Sequence, residues 1–486
     1  MEARARIPVS PPHPNPTASY WHTPLSPLAN HLSAKTLPET IDTVIIGSGI
    51  SGAMVAWNLL SAHPSQSTLM LEARTACGGA SGRNGGHTKA ASYRTYATHA
   101  SELGKAEALR IARLEHANIL ATHAFAKEQG IDCENALCET VDIIYDPATF
   151  KQAVVAVKMI EADVRPEERE EGGVGAYKIW SKEEAMEKFY VAGENESEAV
   201  KGKEEVVGAL SYLAGRLSAY KFVTGVLGLC VEKGMGLFTH TPASDIKPVP
   251  DAKDGFTWEI RTARGAVRAK NVVVTTNGYT ANLLPEMQGR IVPLRGQITA
   301  QRPGPKARLP TLLPTTYSFI YRNGYEYMIP RPVPTTPEGQ HIVIGGGLGR
   351  LPNDGASEFG TCDDSILNPE TSRYLKETAK GFFGERNWGE QGEGGKERIV
   401  QEWTGIMGAT TDGVPFVGEM PGKKGLWLSA GFNGHGMVLC FKSADALTHL
   451  LSGGAPDEID WFPKSFLLTE KRIRESVFEG RRDMKL

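Results

Sequence analysis

The chain has 486 residues, 41% of them hydrophobic and 22% charged, with a formal net charge of −3. That length fits two or three domains, or one discontinuous two-domain protein, and so balanced a charge argues against a nucleic-acid or anionic-membrane partner. No stretch is apolar for the ~18 residues a membrane span needs. The six cysteines, Cys77, Cys133, Cys138, Cys230, Cys362 and Cys440, form no C-x-x-C pair and read as free thiols of a reducing compartment.

Residues 1–37 are rich in Pro, Ser and His without a period, and read as an extended arm over the surface in which Tyr20 and Trp21 serve as simple packing. The opening MEARARIPVSPPHPNP has no apolar middle region, which argues against a signal peptide and points to the cytoplasm. At the other end Lys485-Leu486 match a peroxisomal S-K-L address, but Met484 does not, so the peroxisome is the weaker alternative.

Residues 43–72 organise the chain. The apolar run Thr43-Val44-Ile45-Ile46 has the length and β-branching of a buried parallel strand. It enters Gly47-Ser48-Gly49-Ile50-Ser51-Gly52, a G-x-G-x-x-G turn, after which Ala53, Val55, Ala56, Leu59 and Leu60 recur at helical spacing. A second apolar strand over 68–71 ends on Glu72. The three glycines serve different ends: Gly47 allows a tight turn, Gly49 lets backbone approach a pyrophosphate, and Gly52 lets the helix pack close to the sheet. The helix N-terminus offers free N–H groups and partial positive charge to the phosphates. Glu72 is an acceptor placed for a ribose hydroxyl pair, which also disfavours a 2′-phosphate.

Residues 78–87 hold five glycines in ten positions, so neither helix nor strand forms there without cost. A loop this rich in glycine beside a dinucleotide-binding unit suits close approach to a flat ring or phosphate, with Ser81, Arg83 and Asn84 as hydrogen-bonding members. A long helical pattern covers 101–129. It puts His116 and His123 on one face as ordinary polar positions, and no metal-ligand spacing occurs in the chain. Residues 141–145 read as a strand, 163–175 and 193–207 as exposed charged segments, and 211–232 as a helix. A strand over 237–240 leads to Thr241-Pro242-Ala243, a hairpin is expected from 258–261 and 266–270, and a buried strand over 272–275 runs into Thr276-Asn277-Gly278-Tyr279. Strands over 291–299, 318–321, 325–330 and 341–345 read as antiparallel sheet, with a turn at Asn323-Gly324. Residues 384–396 read as an exposed loop. Near the end, Thr411-Asp412-Gly413-Val414-Pro415 precedes a strand over 426–429, then Gly431-Phe432-Asn433-Gly434-His435-Gly436-Met437 and a helix to 451. This second strand, glycine turn and helix would place another positive helix end beside developing negative charge.

Taken together, these stretches resemble the FAD-dependent D-amino-acid oxidase superfamily, which includes sarcosine oxidase, glycine oxidase and γ-glutamylputrescine oxidase. The resemblance covers roughly residues 41–451 and rests on four matches: the unit ending in Glu72-Ala73-Arg74, the Gly-Ala-Ser-Gly-Arg-Asn-Gly-Gly loop, residues 272–279, and Asp412-Gly413-Val414-Pro415 with residues 431–437. The loop is nearest the γ-glutamylputrescine oxidase branch. The resemblance implies an α/β fold with an α+β second domain: a discontinuous Rossmann-like FAD-binding domain (38–135, 208–288 and 398–460), a substrate domain built on antiparallel sheet (136–207 and 289–397), the arm 1–37 and a tail 461–486. It implies oxidation of a C–N bond of an amine or amino acid by hydride transfer to flavin N5, followed by imine hydrolysis, with oxygen or another acceptor taking the electrons.

In that family Gly47, Ser48, Gly49, Ile50, Ser51 and Gly52 would hold the pyrophosphate, Glu72 with Ala73 and Arg74 the adenosine side, and Ala243 the adenine by its backbone. Ser81, Arg83, Asn84, Gly85 and Gly86, Asn277 and Gly278, and Asp412, Gly413, Gly431, Gly434, His435, Gly436 and Met437 would surround the flavin. Tyr325, Tyr327 and Arg331 lie on or after a strand that borders the substrate pocket, where an arginine can clamp a carboxylate. Arg295 matches a family turn. Gly405 and Arg83 stand where relatives carry flavin-linking cysteine and histidine, so the FAD is expected to be non-covalent, and Val438 stands where sarcosine oxidases carry a lysine that helps oxygen react, which leaves oxidase and dehydrogenase both open. The competing readings are a nicotinamide-dependent dehydrogenase built on the opening unit alone, and a non-catalytic flavoprotein.

Overall fold

The computed structural model describes residues 1–389 and 398–478. Two sheets face each other. The first runs in the order Phe416–Glu419, Leu426–Ala430, Gly265–Val274, Thr40–Ile46, Thr68–Leu71, Gly236–Phe238. Its four central pairings are parallel, from Leu426–Ala430 to Gly236–Phe238. Val44, Ile45, Met70, Leu71, Val272 and Val273 are fully buried, which is what a parallel strand covered on both faces requires. The helix Ile50–Ala62 buries Ala53, Val55, Ala56, Leu59 and Leu60, and packs against the helices Gly436–Leu451 and Ala219–Glu232.

The second sheet runs Ile399–Thr410, Ile291–Gln301, Gln340–Gly345, Gly324–Pro332, Thr316–Tyr321, Ala136–Ile144, Gly208–Arg216, His87–Thr88, and only Thr316–Tyr321 with Ala136–Ile144 is parallel within that order. The turn at Asn323-Gly324 is a tight hairpin, with Tyr321 opposite Gly324. Behind this sheet lies the helix Pro369–Trp388, where Phe319 stacks on Phe382 with ring centroids 3.9 Å apart. Among the described residues no helix is long and apolar enough to cross a membrane, and the six cysteines are unpaired.

Several expectations shift. Residues 211–216 are strand, not helix: Gly208–Arg216 pairs antiparallel with Ala136–Ile144 along its whole length, and the helix starts only at Ala219, after Ser218 caps it by accepting the Lys221 N–H. An apolar run of this length satisfies either period, and the sheet partner decides. By sheet membership Gly208–Arg216 and Ile399–Thr410 belong with the antiparallel layer, so the expected FAD-domain segments starting at 208 and 398 both open with a strand of the other sheet. The helix expected over 101–129 is two, Tyr93–Glu102 and Lys105–Glu128, separated at Gly104 (φ +88°). Residues 384–388 end a helix with Trp388 buried, while 390–397 and the C-terminal Met484-Lys485-Leu486 lie outside the described residues. The arm is a built part of the molecule, with Trp21 only 4% exposed.

Candidate active site

One large cavity lies between the two sheets. Its first wall comes from the strand–turn–helix unit. Gly47, with φ +109°, turns the chain, and a Cβ there would sit 2.9 Å from the Thr275 carbonyl oxygen. A Cβ at Gly52 would come within 2.1 Å of the Gly47 carbonyl oxygen, so Gly52 lies behind the turn and lets the helix close on it. Gly47, Ser48, Gly49, Ile50 and Ser51 line the cavity. The helix has no side-chain cap at Gly49, and Ser81 of the glycine-rich loop accepts from the Ile50 N–H at 2.9 Å.

Glu72 is 9% exposed at the cavity wall. Its Oε2 accepts from Ser48 N–H (3.0 Å) and Oγ–H (2.6 Å), and its Oε1 from the Arg74 N–H (2.8 Å), which leaves acceptor capacity for a ligand hydroxyl. Ala73, Arg74, Ala243 and Asn277 also line the space. Asn277 Oδ1 accepts from the Gly431 and Phe432 N–H groups at 2.9 and 3.2 Å, tying the turn after Gly265–Val274 to the C-terminal glycine turn. Gly434, His435, Gly436 and Met437 line the cavity where the helix Gly436–Leu451 begins, again without a side-chain cap. Two helix N-termini thus open into one space, the first with its Ile50 N–H already bonded to Ser81. Glycine backbone, helix ends and an acceptor carboxylate fit an elongated anionic dinucleotide.

Of the glycine-rich loop, Ser81, Arg83, Asn84 and Gly85 line the cavity. Gly86 sits behind, where a Cβ would lie 2.3 Å from the Leu217 carbonyl oxygen, and Gly278 and Gly431 pack against Met407 and Thr410. Arg83 and Gly405 face each other, a Cβ on Gly405 lying 3.2 Å from that of Arg83. The Arg83 guanidinium is turned away: Nε–H donates to the Thr404 carbonyl at 2.6 Å, and burial lowers its pKa to about 10. Asp412 and Gly413 are not on this wall. Asp412 is held by Arg472 through bonds of 2.8 and 3.1 Å, and Gly413 borders a smaller neighbouring cavity.

The second wall carries side chains. Tyr325 and Tyr327 line it, but Arg331 does not. Arg331 shares their face of the strand Gly324–Pro332, yet four residues from Tyr327 at strand rise carry it roughly 13 Å further on. There it pairs in a fork with Glu134 (2.9 and 2.8 Å) and packs over Tyr20 and Trp21 at 4.8 and 5.2 Å. Arg295 is likewise paired, with Glu358 at 2.7 Å. His116 Nε2 meets the Gly172 carbonyl at 2.7 Å and His123 Nε2 meets Thr88 Oγ1 at 2.7 Å, both ordinary polar contacts.

The arginine on the wall is Arg94, which sequence reasoning missed. Its guanidinium lies 3.8 Å from the Tyr325 ring centroid, its Nε has no hydrogen-bond partner, and among the described residues no carboxylate is within ion-pair distance. Burial opposes its charge, but Tyr325, Tyr93 and Asp142 outweigh that and raise its pKa. Lys89, also missed, lines the wall beside Ser318 and pairs with Asp142, which accepts from Tyr93 and Tyr212 at 2.7 and 2.9 Å. Burial brings Lys89 down to about 8 and, with Lys89 as neighbour, holds His87 well below its ordinary value. No periodicity marks Lys89 and Arg94: they follow the glycine loop across a two-residue strand into a helix start.

Comparison with known proteins bears on this site. The profile of the FAD dependent oxidoreductase family (DAO) matches residues 42–450. Glycine oxidase of Pseudomonas aeruginosa is 26% identical over 204 residues, covering 40% of this chain and 46% of that one, and D-amino acid dehydrogenase of Cereibacter sphaeroides is 25% identical over 268 residues, covering 53% and 52%. The chain spans about half the length of these curated relatives. Among solved structures, glycine oxidase from Geobacillus kaustophilus superposes with a TM-score of 0.66 at 20% identity over 89% of this chain and 99% of that chain, which shows a shared fold. The L-amino acid deaminase of Proteus vulgaris does so with a TM-score of 0.64 at 16% identity over 90% and 99%. The match across both sheets leaves no room for a nicotinamide enzyme built on the opening unit alone: the chain belongs to the FAD-dependent oxidoreductase (DAO) family, and its cofactor is FAD.

Proposed function

We propose that this protein oxidises the C–N bond of a substrate whose amine stands beside a carboxylate, an α-amino acid or its N-substituted form, with FAD held non-covalently in the cavity between the sheets. The pyrophosphate lies at Gly47–Gly52, the adenosine ribose at Glu72, the adenine by Ala243, and the flavin beside Arg83–Gly85 and Gly434–Met437. Support for the non-covalent reading is that Gly405 and Arg83, which face one another, offer no free nucleophile. Bound FAD supplies a two-electron acceptor for the hydrogen leaving the carbon beside nitrogen, and water hydrolyses the resulting imine.

Arg94 is the observation that carries the substrate class. The Arg94 Nε is buried without a hydrogen-bond partner, which is costly, and among the described residues no carboxylate pairs with the guanidinium, so a carboxylate in the cavity would satisfy it bidentately. Tyr325 beneath it fixes the plane of the fork, and Tyr327 closes the same side. Lys89 adds no large excess of charge because Asp142 offsets it. Desolvation, with Lys89 as neighbour, keeps the partly buried His87 neutral, and the same surroundings favour the uncharged amine that can be oxidised. The test is anaerobic titration of the purified flavoprotein with amino acids and with the matching amines that lack the carboxylate. Bleaching by the acids alone is expected; bleaching by the amines at equal or lower concentration overturns the carboxylate reading. Bleaching by neither across a broad amino-acid panel favours a non-catalytic flavoprotein. Peroxide release in air identifies oxygen as the electron acceptor.

A further inference from the structure

The arm, residues 1–37, touches the cavity and the loop that lines it. Pro11 and Pro12 line the cavity, and the residues that flank them fix the end at which they lie: Val9 packs in the apolar cluster that holds Ala243 and Tyr279, at the end assigned to adenosine. Just beyond them, the His13 carbonyl accepts from Arg74 Nη1 at 3.2 Å, and Arg74 is itself held by Asp364 at 3.0 and 2.9 Å. Thr17 is pinned from three directions. Its N–H donates to the Asp364 carbonyl at 2.7 Å, its carbonyl and Oγ1 accept from Arg83, and Oγ1 accepts from the Thr404 N–H at 3.0 Å. Ser19 Oγ–H then donates to the Gly82 carbonyl (2.9 Å), and Trp21 Nε1–H to the Asn84 carbonyl (2.6 Å).

The glycine-rich loop therefore has two faces, one on the cavity and one on the arm. A segment so rich in glycine has little side-chain packing of its own to hold it; the strand Ile399–Thr410 holds Arg83 through Thr404 and Trp403, while the bonds to the Gly82 and Asn84 carbonyls and two of those made by Arg83 come from the arm. Arg331 fits the same scheme, because it braces Tyr20 and Trp21 from outside. The prolines lack N–H groups and have a fixed φ, so they offer a rigid apolar surface toward a flat ring.

We propose that the N-terminal arm is part of the FAD site: Pro11 and Pro12 form the outer wall of the adenosine pocket, residues 17–21 lock the loop over the flavin, and FAD leaves only when the arm lifts. This rests on the cavity being the FAD site. The arm and the cofactor then stabilise each other, as coupled binding requires.

The experiment follows release of FAD from the full-length protein after dilution into flavin-free buffer containing a competing apoflavoprotein, and separately the affinity of the FAD-stripped protein for ADP. The double variant Pro11→Gly/Pro12→Gly leaves residues 13–37 and their anchors intact. It is expected to release FAD about tenfold faster and to bind ADP more weakly by a similar factor, the change lying mainly in the off-rate. Thr17→Ala is expected to speed FAD release in the same direction. Release and ADP binding at wild-type values in the double variant overturn the proposal. So does a Thr17→Ala protein that melts earlier yet releases FAD at the wild-type rate, since the arm would then be structural only. Gly49→Val separates the two layers: it is expected to empty the site, and retention of FAD there overturns the placing of FAD in this cavity rather than the role of the arm.

Discussion

The two walls of the cavity are made differently. The wall from the parallel sheet is backbone: two helix N-termini, glycines at turns, and one acidic side chain fixed by three N–H and O–H donors. The wall from the antiparallel sheet is side chain: Arg94 on Tyr325, Lys89 on Asp142, and Tyr327. The first recognises what every dinucleotide has, phosphates and a ribose, and can be built from short contiguous motifs. The second must recognise one substrate, and draws residues from helix starts and strands far apart in the chain. Changes at the first wall should act on cofactor retention, changes at the second on substrate selectivity.

The largest effect is expected on the backbone wall. Gly52→Ala puts a Cβ within 2.1 Å of the Gly47 carbonyl oxygen, so the turn must open, and protein purified from this variant should carry no FAD absorption. Full occupancy would mean that the turn is not what holds the phosphates. On the other wall, Arg94→Ala should lower kcat/KM for an amino acid by about 2–4 kcal/mol, roughly 30- to 1000-fold, the usual cost of losing one partner of a buried charge pair. Occupancy by FAD should not change, nor should kcat/KM for the matching amine; an equal loss for both substrates would reassign Arg94 to a structural role. Next comes Glu72→Ala, back on the first wall. A charged acceptor for a ribose hydroxyl is worth about 1.5–3 kcal/mol, so Kd for FAD should rise about 10- to 100-fold by fluorescence titration, with the substrate preference unmoved.

This division also explains what the sequence made legible. Residues 43–72 announce themselves because their chemistry is local: a strand, a turn and a helix N-terminus are neighbours in the chain, and the glycine spacing is imposed by backbone contacts such as Gly52 on Gly47. The C-terminal turn at 431–437 is readable for the same reason. Arg331 misled because strand parity puts it on the face of Tyr325 and Tyr327, and parity says nothing of where the cavity ends. Arg94 was invisible because its significance is an absence, a buried Nε without a partner and no carboxylate paired with it among the described residues, which only packing reveals. Residues 211–216 satisfy a helical reading until Ala136–Ile144 is placed beside them. Asp412, read as a flavin contact from its motif, is bound instead by Arg472 of the tail, a partner sixty positions away.

The smallest effect tests whether the side-chain wall is isolated from what lies behind it. Glu326 stands between Tyr325 and Tyr327 on the strand Gly324–Pro332, so its side chain points to the opposite face. It is fully buried, its Oε1 accepts from Tyr321 Oη–H (2.9 Å) and the Gly347 N–H (3.2 Å), and its Oε2 has no partner. Burial raises its pKa from 4.5 to about 7, with Arg350 opposing. Between those values the folded chain keeps a proton that the unfolded chain has lost, so this group makes stability fall as pH rises through that window. Glu326→Gln imitates the protonated form at every pH and removes the term. The difference in stability between variant and wild type should therefore grow in the variant's favour by about 1 kcal/mol from about pH 6 to about pH 7, read from paired denaturant titrations. The substrate preference set by Arg94 should stay where it was. A pH-independent difference would place the Glu326 carboxyl outside this titration range, and a changed preference would show that the two faces of the strand are coupled through Tyr325 and Tyr327.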